Sequence, residues 1–471
     1  MAAVGTPTGP GTFRHGVHPD GAKEATEHLP VERMPFVDRY TVPLAQHLGA
    51  PAVPVVQPGQ RVQRGQLIAR AAAFVSTAHH APVTGVVLSI GKERYPSGAL
   101  VDAIVIEADR FDPQVLVQGA AAEWRSLSDK DFMTLVQGGG IVGMGGAAFP
   151  SHVKLSVPEG KSCDQLVING CECEPFLTCD HRTMVERPDA VLRGIDIAGT
   201  RVRCKGAVIG VELNKPDGIS ALQAAIERRQ ARIGRGENDG VSFPIRVQGV
   251  QVKYPQGAEK MLVKALFDRE VPTGKLPLDL GYVVNNVATM VALAELVDGG
   301  CPLIERVVTV AGSAVRRPAN LIVPVGTPIR AVLDHCGGLT PKVRQVVMGG
   351  PMMGMPVATI DAPVLKGTSG LLAFEEARDP LKEAGPCIKC GQCLEACPYM
   401  LNPSRLGRMA RAGRVLDMED WLVMDCVECG ACTWVCPSEI PLVHLFRSAK
   451  ATIRKKKAAE QAAAKKAGGA S

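Results

Sequence analysis

The 471-residue chain has no apolar run long enough to cross a bilayer. A membrane helix needs roughly 18 uninterrupted apolar residues, and the best candidate, VVNNVATMVALAELV from Val283 to Val297, is broken by two Asn and a Glu. The start, MAAVGTPTGPGTFRHG, lacks the charged and then apolar pattern of an export signal. The expectation is therefore a chain that stays in a reducing cytoplasm. Charge of one sign is scarce as well: a net +6 is too mild to point to nucleic acid. Part of that excess lies in IRKKKAAEQAAAKKAGGAS from Ile453, an Ala/Lys-rich tail expected to be helical or disordered. Such a tail is either simply solvated or weakly drawn to an anionic membrane surface, at about 1 kcal/mol per nearby Lys. Lysine is missing altogether between Arg70 and Ser89.

Cysteine, by contrast, is plentiful, and in a reducing compartment 15 thiols point to metal ligation rather than disulfides. CIKCGQCLEACP places Cys387, Cys390, Cys393 and Cys397 at CxxCxxCxxxCP spacing, and CVECGACTWVCP repeats it with Cys426, Cys429, Cys432 and Cys436. Three thiolates two residues apart wrap one face of a 4Fe-4S cube, and a fourth supplies the last iron. Zinc sites rarely use three consecutive CxxC steps followed by CP. In a doubled motif the fourth cysteine crosses over. One cluster is then expected on Cys387, Cys390, Cys393 and Cys436, the other on Cys426, Cys429, Cys432 and Cys397. The segment between the motifs has helical apolar spacing, which predicts a helical two-cluster ferredoxin module. Cys171, Cys173 and Cys179 sit close together in NGCECEPFLTC without ligand spacing, and are expected to be free thiols.

Length and composition suit roughly three domains with cores of their own. The pattern divides the chain into an N-terminal extension (1–39), a module of short strands (40–115), an α/β region (116–300), a β-grasp-like unit (301–375), the two-cluster region (376–448) and the basic tail (449–471). VQPGQRVQRGQLI beside APVTGVV resembles the barrel-sandwich fold of biotinyl and lipoyl carriers. A carrier needs an exposed hairpin Lys for its swinging arm, and the missing lysine makes this a structural module. In the α/β region, DQLVING, GAVIGVELN and FPIRVQGVQV are predicted strands and GISALQAAIERRQARIG a helix.

Within it, GGGIVGMGGAAFPSHVKL (Gly138–Leu155) formally satisfies the GxGxxA dinucleotide fingerprint over Gly143–Ala148. That fingerprint needs a strand before the glycines, whereas SLSDKDFMTLVQ before them is a predicted helix, so an ordinary Rossmann site is disfavoured. The glycines still let backbone approach a ligand, and the start of the helix after them would offer N–H groups to a phosphate.

That loop, followed in order by VINGCECEPFLTCDHRTM, YPQGAEKML, EVPTGKLP and VVNNVAT, resembles the RnfC family, one of the subunits of the Rnf electron-transport complex. With the barrel-sandwich region, GGPMMG and the two cluster motifs, the resemblance spans nearly all of residues 11 to 445. The central part is also similar to the flavin-bearing subunit of respiratory complex I. The resemblance implies a multidomain α/β fold. Its parts are the barrel-sandwich module, a complex I flavin-subunit-like α/β domain, a β-grasp (SLBB-like) unit and the helical ferredoxin domain.

The resemblance further implies non-covalent FMN and NADH in one site. Gly143, Gly145, Gly146, Ala147 and Phe149 would line the cradle, and Lys154 would reach the phosphate region. Asn169, Glu172 and Glu174 would face flavin and nicotinamide, with Phe149, Glu172 and Glu174 as the catalytic positions. Tyr254, Gly257, Glu259, Asn285, Asn286 and Thr289 complete the set. The implied activity is NADH oxidation, or its reverse, with electrons passing to the clusters and on to membrane subunits and a ferredoxin-linked carrier, coupled to Na⁺ or H⁺ movement. The chain itself would be peripheral on the cytoplasmic side. A cobalamin reductase of propanediol-degrading microcompartments shares this design. A non-catalytic wiring subunit is the other alternative, because Ala148 stands where the family's loop has glycine.

Overall fold

The computed structural model describes residues 11–117, 119, 123–237, 241, 243–375 and 384–468. Its centre is a four-stranded parallel sheet in the order Ile245–Val250, Gly206–Glu212, Gln165–Asn169, Tyr282–Asn286. The inner strand GAVIGVE is buried along its whole length, as a parallel strand covered on both faces must be. Alternate residues feed two separate cores. Leu166, Ile168, Ile209 and Val283 join one, and Val167, Val208, Val250 and Val284 the other.

The chain builds this sheet outward from Gln165–Asn169 in one direction, then crosses back to lay Tyr282–Asn286 on the other side. In an open α/β sheet the crevice at such a reversal, beyond the carboxyl ends of the two strands, is where ligands bind. Asn169 and Asn286 are register partners at that spot. The helices Pro188–Arg201 and Val287–Gly299 cross so closely that a Cβ on Gly194 would lie 2.0 Å from Met290 O.

Two antiparallel sheets form the barrel-sandwich module around Tyr40, Val42, Ile68, Val87, Ile104 and Ile106. A six-stranded sheet forms the β-grasp-like part, with Glu305–Ala311 and Ala319–Pro324 followed by the helix Ile329–His335. Its edge strand is Val31–Arg33, paired parallel to Ala319–Pro324. The N-terminal stretch is thus not a separate extension, because its strand completes a sheet whose other members begin some 270 residues later.

The cysteine region is helical, with Pro403–Arg411 capped by Asn402 and two short turns of helix, Gln392–Glu395 and Ala431–Trp434, each inside a cysteine motif. The last helix, Leu442–Gly468, runs through the boundary drawn at 448. Phe446, Ala449 and Ile453 on it pack into the core of the cluster region, so the first part of the basic segment belongs to that core. Among the described residues no helix is long and apolar enough to cross a membrane.

Candidate functional site

A cavity of about 740 Å³ opens at the sheet's crossover. One wall is the glycine loop. It follows the helix Asp129–Gly138, whose first turn is capped by Ser128 Oγ accepting from Asp131 N at 3.1 Å. No strand precedes the glycines, as expected. The loop closes on itself through Gly143 N to Phe149 O (2.8 Å) and Ser151 N to Ile141 O (3.1 Å). It is tied down by Met144 N donating to Thr289 Oγ1 (2.9 Å) and by the buried Arg306 donating to Met144 O (3.3 Å).

Gly145, Gly146 and Ala147 are exposed and line the cavity. Gly146 has φ +107°, and a Cβ there would meet nothing within 4 Å, so the backbone faces open space. Ala148 also lies in the left-handed region, at φ +49°, with its methyl buried against the Gly367 side. That conformation explains why glycine suits this position. Alanine accepts it at a cost of roughly 1–2 kcal/mol.

Several sequence-assigned residues stand elsewhere. The helix after the loop, Ser151–Leu155, is only five residues long, starts on Pro150 and lies off the cavity wall. The backbone that lines the cavity here therefore belongs to the loop itself. Lys154 is not itself a lining residue; its Nζ bonds to Glu259 Oε1 (2.5 Å), on the wall, and to Val284 O (3.2 Å). Gly143, Phe149, Asn285 and Thr289 stand behind the wall, where Gly143, Phe149 and Thr289 shape the loop. Asn285 is buried and its Nδ2 has no hydrogen-bond partner.

Asn169, Glu172, Glu174, Tyr254, Gly257, Glu259 and Asn286 do line the cavity. Asn169 Nδ2 donates to Gly257 O (2.8 Å). Asn286 caps the helix Val287–Gly299 through Oδ1 and donates from Nδ2 to Asp180 Oδ2 (2.6 Å). The two glutamates are engaged by amides. Glu172 accepts from Asp180 N (2.7 Å) and His181 N (3.0 Å), capping the helix Cys179–Glu186, whose own cap residue Thr178 makes no side-chain capping bond. Glu174 accepts from Met352 N and Met353 N, both at 2.9 Å, which brings the GGPMMG turn onto the cavity. A Cβ on Gly350 would sit 2.2 Å from Glu174 Oε2. Burial pushes the Glu174 carboxyl up against the pull of those amides.

Sequence reasoning passed over Asp180. It lines the cavity beside Glu172, its Oδ1 has no partner, and burial followed by the Glu172 charge pushes its pKa up to about 7. Gln46, from the barrel-sandwich module, also lines the cavity with an unpartnered Nε2. Unspent buried donors and acceptors around exposed backbone suit a polar, hydrogen-bonding ligand such as a flavin nucleotide. The loop thiols Cys173 and Cys179 face the cavity, while Cys171 turns to Gly210 O; burial pushes all three up, so they stay protonated.

The eight motif cysteines converge on two smaller cavities. Cys387, Cys390, Cys393 and Cys436 line one, and Cys397, Cys426, Cys429 and Cys432 the other. The two motifs share one backbone path. Lys389 and Gly391 in the first (φ +58° and +84°) match Glu428 and Gly430 in the second (φ +61° and +87°). Four thiols around each apolar hollow are the donor set a 4Fe-4S cluster requires. Tyr399 and Val427 line both the second cysteine cavity and the large one, and Tyr254 Oη donates to Cys429 O at 2.6 Å.

Family models match the RnfC barrel sandwich hybrid domain at residues 11–111, the Nuo51 FMN-binding domain at 136–295, the SLBB domain at 307–356 and a 4Fe-4S dicluster domain at 383–440. The solved NAD⁺-reducing [NiFe]-hydrogenase in its H₂-reduced state shares the fold, with a TM-score of 0.50 and 20% identity over 70% of this chain and 63% of that one. Among curated relatives, the C subunit of the proton-translocating ferredoxin:NAD(+) oxidoreductase complex of Clostridium ljungdahlii is 43% identical, covering 84% of this chain and 83% of that protein. The C subunit of the ion-translocating oxidoreductase complex of Rhodobacter capsulatus is 41% identical (93% and 82%). Its counterpart in the Na(+)-translocating ferredoxin:NAD(+) oxidoreductase complex of Acetobacterium woodii is 38% identical (85% and 88%). With its four modules in order and this identity over most of its length, the chain belongs to the RnfC family, the C subunits of ion-translocating oxidoreductase complexes.

Proposed function

We propose that the chain is the electron-input subunit of such a complex, moving electrons between NAD(H) and two 4Fe-4S clusters with FMN as its bound redox group. The observation that carries this reading is the shared wall. Tyr399 and Val427 separate the nucleotide cavity from the hollow lined by Cys397, Cys426, Cys429 and Cys432. FMN, when bound, supplies a group that accepts a hydride from NADH and releases electrons singly.

The chain's own residues bind and orient. The exposed backbone from Gly145 to Ala147 lines the cavity and would offer its N–H groups to a phosphate, and Asn169 and Asn286 hold fixed amides at the strand ends. Asn286 in turn fixes Asp180, a carboxyl able to hold or release a proton near neutral pH. Gln46 and Leu48 from the barrel-sandwich module and Met348, Met353 and Met355 from the β-grasp part also line the cavity. Cys387, Cys390, Cys393 and Cys436 hold one cluster, and Cys426, Cys429, Cys432 and Cys397 the other. Cys390 is exposed and Cys432 buried, so the first cluster is the one nearer the surface and serves as the exit.

The partners are other subunits of the complex, among them membrane subunits that exchange electrons with a ferredoxin-linked carrier and couple the transfer to ion movement. The chain docks on them peripherally from the cytoplasmic side. The test is anaerobic titration of the cluster-loaded protein with FMN and then NADH. The flavin's visible band should bleach in proportion to NADH, and failure to bind FMN or to bleach it would refute the reading.

A further inference from the structure

The segment ahead of the first strand is bound along its length. Gly11 O accepts from Gln251 N (2.8 Å), Val17 and Tyr254 exchange two backbone bonds of 2.8 Å, and Lys253 Nζ donates to Phe13 O (2.7 Å). His15 Nδ1 lies 2.7 Å from Glu395 O, inside the first cysteine motif. Thr26 meets Thr178 Oγ1 at 2.8 Å, and its carbonyl accepts from Asn320 Nδ2 at 2.9 Å. Residues 11–27 therefore strap together the nucleotide domain, the cluster region and the β-grasp sheet.

Near the end of this strap is Lys23, 6% exposed. Its Nζ donates to Glu172 O (3.1 Å), Glu174 O (2.9 Å) and Leu177 O (2.5 Å). Among the described residues no carboxylate lies within ion-pair distance of it, so all three of its donors are spent on the carbonyls of one loop. Gly21 O next to it accepts from Phe176 N at 2.8 Å. A buried ammonium is expensive to leave unpartnered, and burial pulls the Lys23 pKa down.

The loop it grips presents Glu172, Cys173, Glu174 and Leu177 to the cavity. That loop is not relaxed, because Glu172 (φ +47°) and Phe176 (φ +67°) both occupy the left-handed region that such side chains avoid. Three charge-assisted bonds converging from a single point over-determine its path. Lysine suits this position because its three donors point apart from one atom, whereas the flat fork of arginine does not fold around three carbonyls of one turn.

We propose that Lys23 is a positioning residue of the nucleotide site. By pinning the 172–177 backbone it sets where the Glu172 and Glu174 side chains stand, and through them the affinity and orientation of FMN and NADH. The proposal rests on the flavin reading above, and its test separates the two. In the full-length, cluster-loaded protein, Lys23→Met is compared with the parent by cluster absorbance and electron paramagnetic resonance, FMN titration, the visible spectrum of bound flavin, and NADH kinetics with ferricyanide as acceptor.

The expected result is unchanged clusters, FMN affinity lower by roughly tenfold or more, a shifted flavin band, and a KM for NADH that rises more than kcat falls. Thr26→Val, which cuts the strap's bond to Thr178, should lower the unfolding midpoint and leave the nucleotide readouts alone. A parent that does not bind FMN sinks the flavin reading. A parent that binds FMN beside a Lys23→Met protein with the same affinity, spectrum and KM overturns the positioning role. Equal nucleotide defects in Thr26→Val overturn it too, because the strap as a whole would then be responsible. If Lys23→Met does not fold, Lys23→Gln takes its place, and failure of both to fold assigns Lys23 to the fold alone.

Discussion

Replacing Asp180 by Asn tests whether the carboxyl pair in the cavity wall is under strain. Burial, and then the neighbouring Glu172 charge, hold the Asp180 pKa at about 7 against an ordinary 3.8, while Asn286 and Arg306 pull the other way. A raised pKa means that the folded state binds the proton more tightly than the unfolded chain. The stability this group contributes is present in full below the unfolded value and is lost as pH rises through the folded one. Between about pH 5.5 and 8 the unfolded carboxyl is ionised throughout, whereas the folded one titrates. The contribution should therefore fall by about 1.5 pK units, or about 2 kcal/mol. Asn keeps an acceptor for Asn286 Nδ2, which now lies 2.6 Å from Asp180 Oδ2, and carries no charge toward Glu172. Urea midpoints of flavin-free, cluster-loaded parent and Asp180→Asn proteins, followed by circular dichroism under argon, should diverge as pH rises, with the variant gaining by about 2 kcal/mol over this window. Parallel profiles, or a variant that loses ground toward pH 8, would refute the argument that the pair is uncomfortable when doubly charged.

Three further outcomes are expected. The double variant Cys390→Ser/Cys436→Ser removes ligands from one cluster only if the fourth cysteines cross over. Iron analysis should then find about half the parent's iron, whereas loss of both clusters would show that each motif holds its own. Gly350→Ala places a Cβ where Glu174 Oε2 now sits, 2.2 Å away, and should break the bonds to Met352 and Met353. FMN affinity should fall by roughly tenfold for two lost charge-assisted bonds, and unchanged titrations would show that Glu174 has no part in the site. Ala148→Gly relieves roughly 1–2 kcal/mol of left-handed strain but loses about 0.8 kcal/mol of methyl burial and about 0.5–1 kcal/mol of backbone entropy. Stability and FMN affinity should both stay near the parent's, and a large gain in FMN affinity would show that the methyl crowds the ligand.

The modular order and the grouping of the motif cysteines into two sets of four were legible because their signals are local. Cysteine spacing in CxxCxxCxxxCP dictates how a short chain wraps a cube, and the apolar GAVIGV run dictates a strand buried on both faces. The glycine loop was legible as a backbone surface, and the helix before it argued correctly against a Rossmann turn. The ion pair of Lys154 could not be read because nothing nearby in sequence announces Glu259, which comes from a helix some hundred residues on. Glu172 and Glu174 were expected at the site and both line the cavity, yet their engagement by the amides of 180–181 and 352–353 could not be read from the motif that contains them.

What this sequence determines by itself is therefore chemistry carried by short spacings: two sets of thiols, a glycine-rich cradle, the strands and helices around it, and the family to which their order points. Tertiary structure alone decided that Asp180 pairs with Glu172, that the GGPMMG turn closes the cavity, that Val31–Arg33 completes a sheet built by residues 305–374, and that Lys23 grips the loop beneath the site. Each of these joins residues distant in the chain. The burial and bond geometry that give them their roles exist only once the modules have packed together.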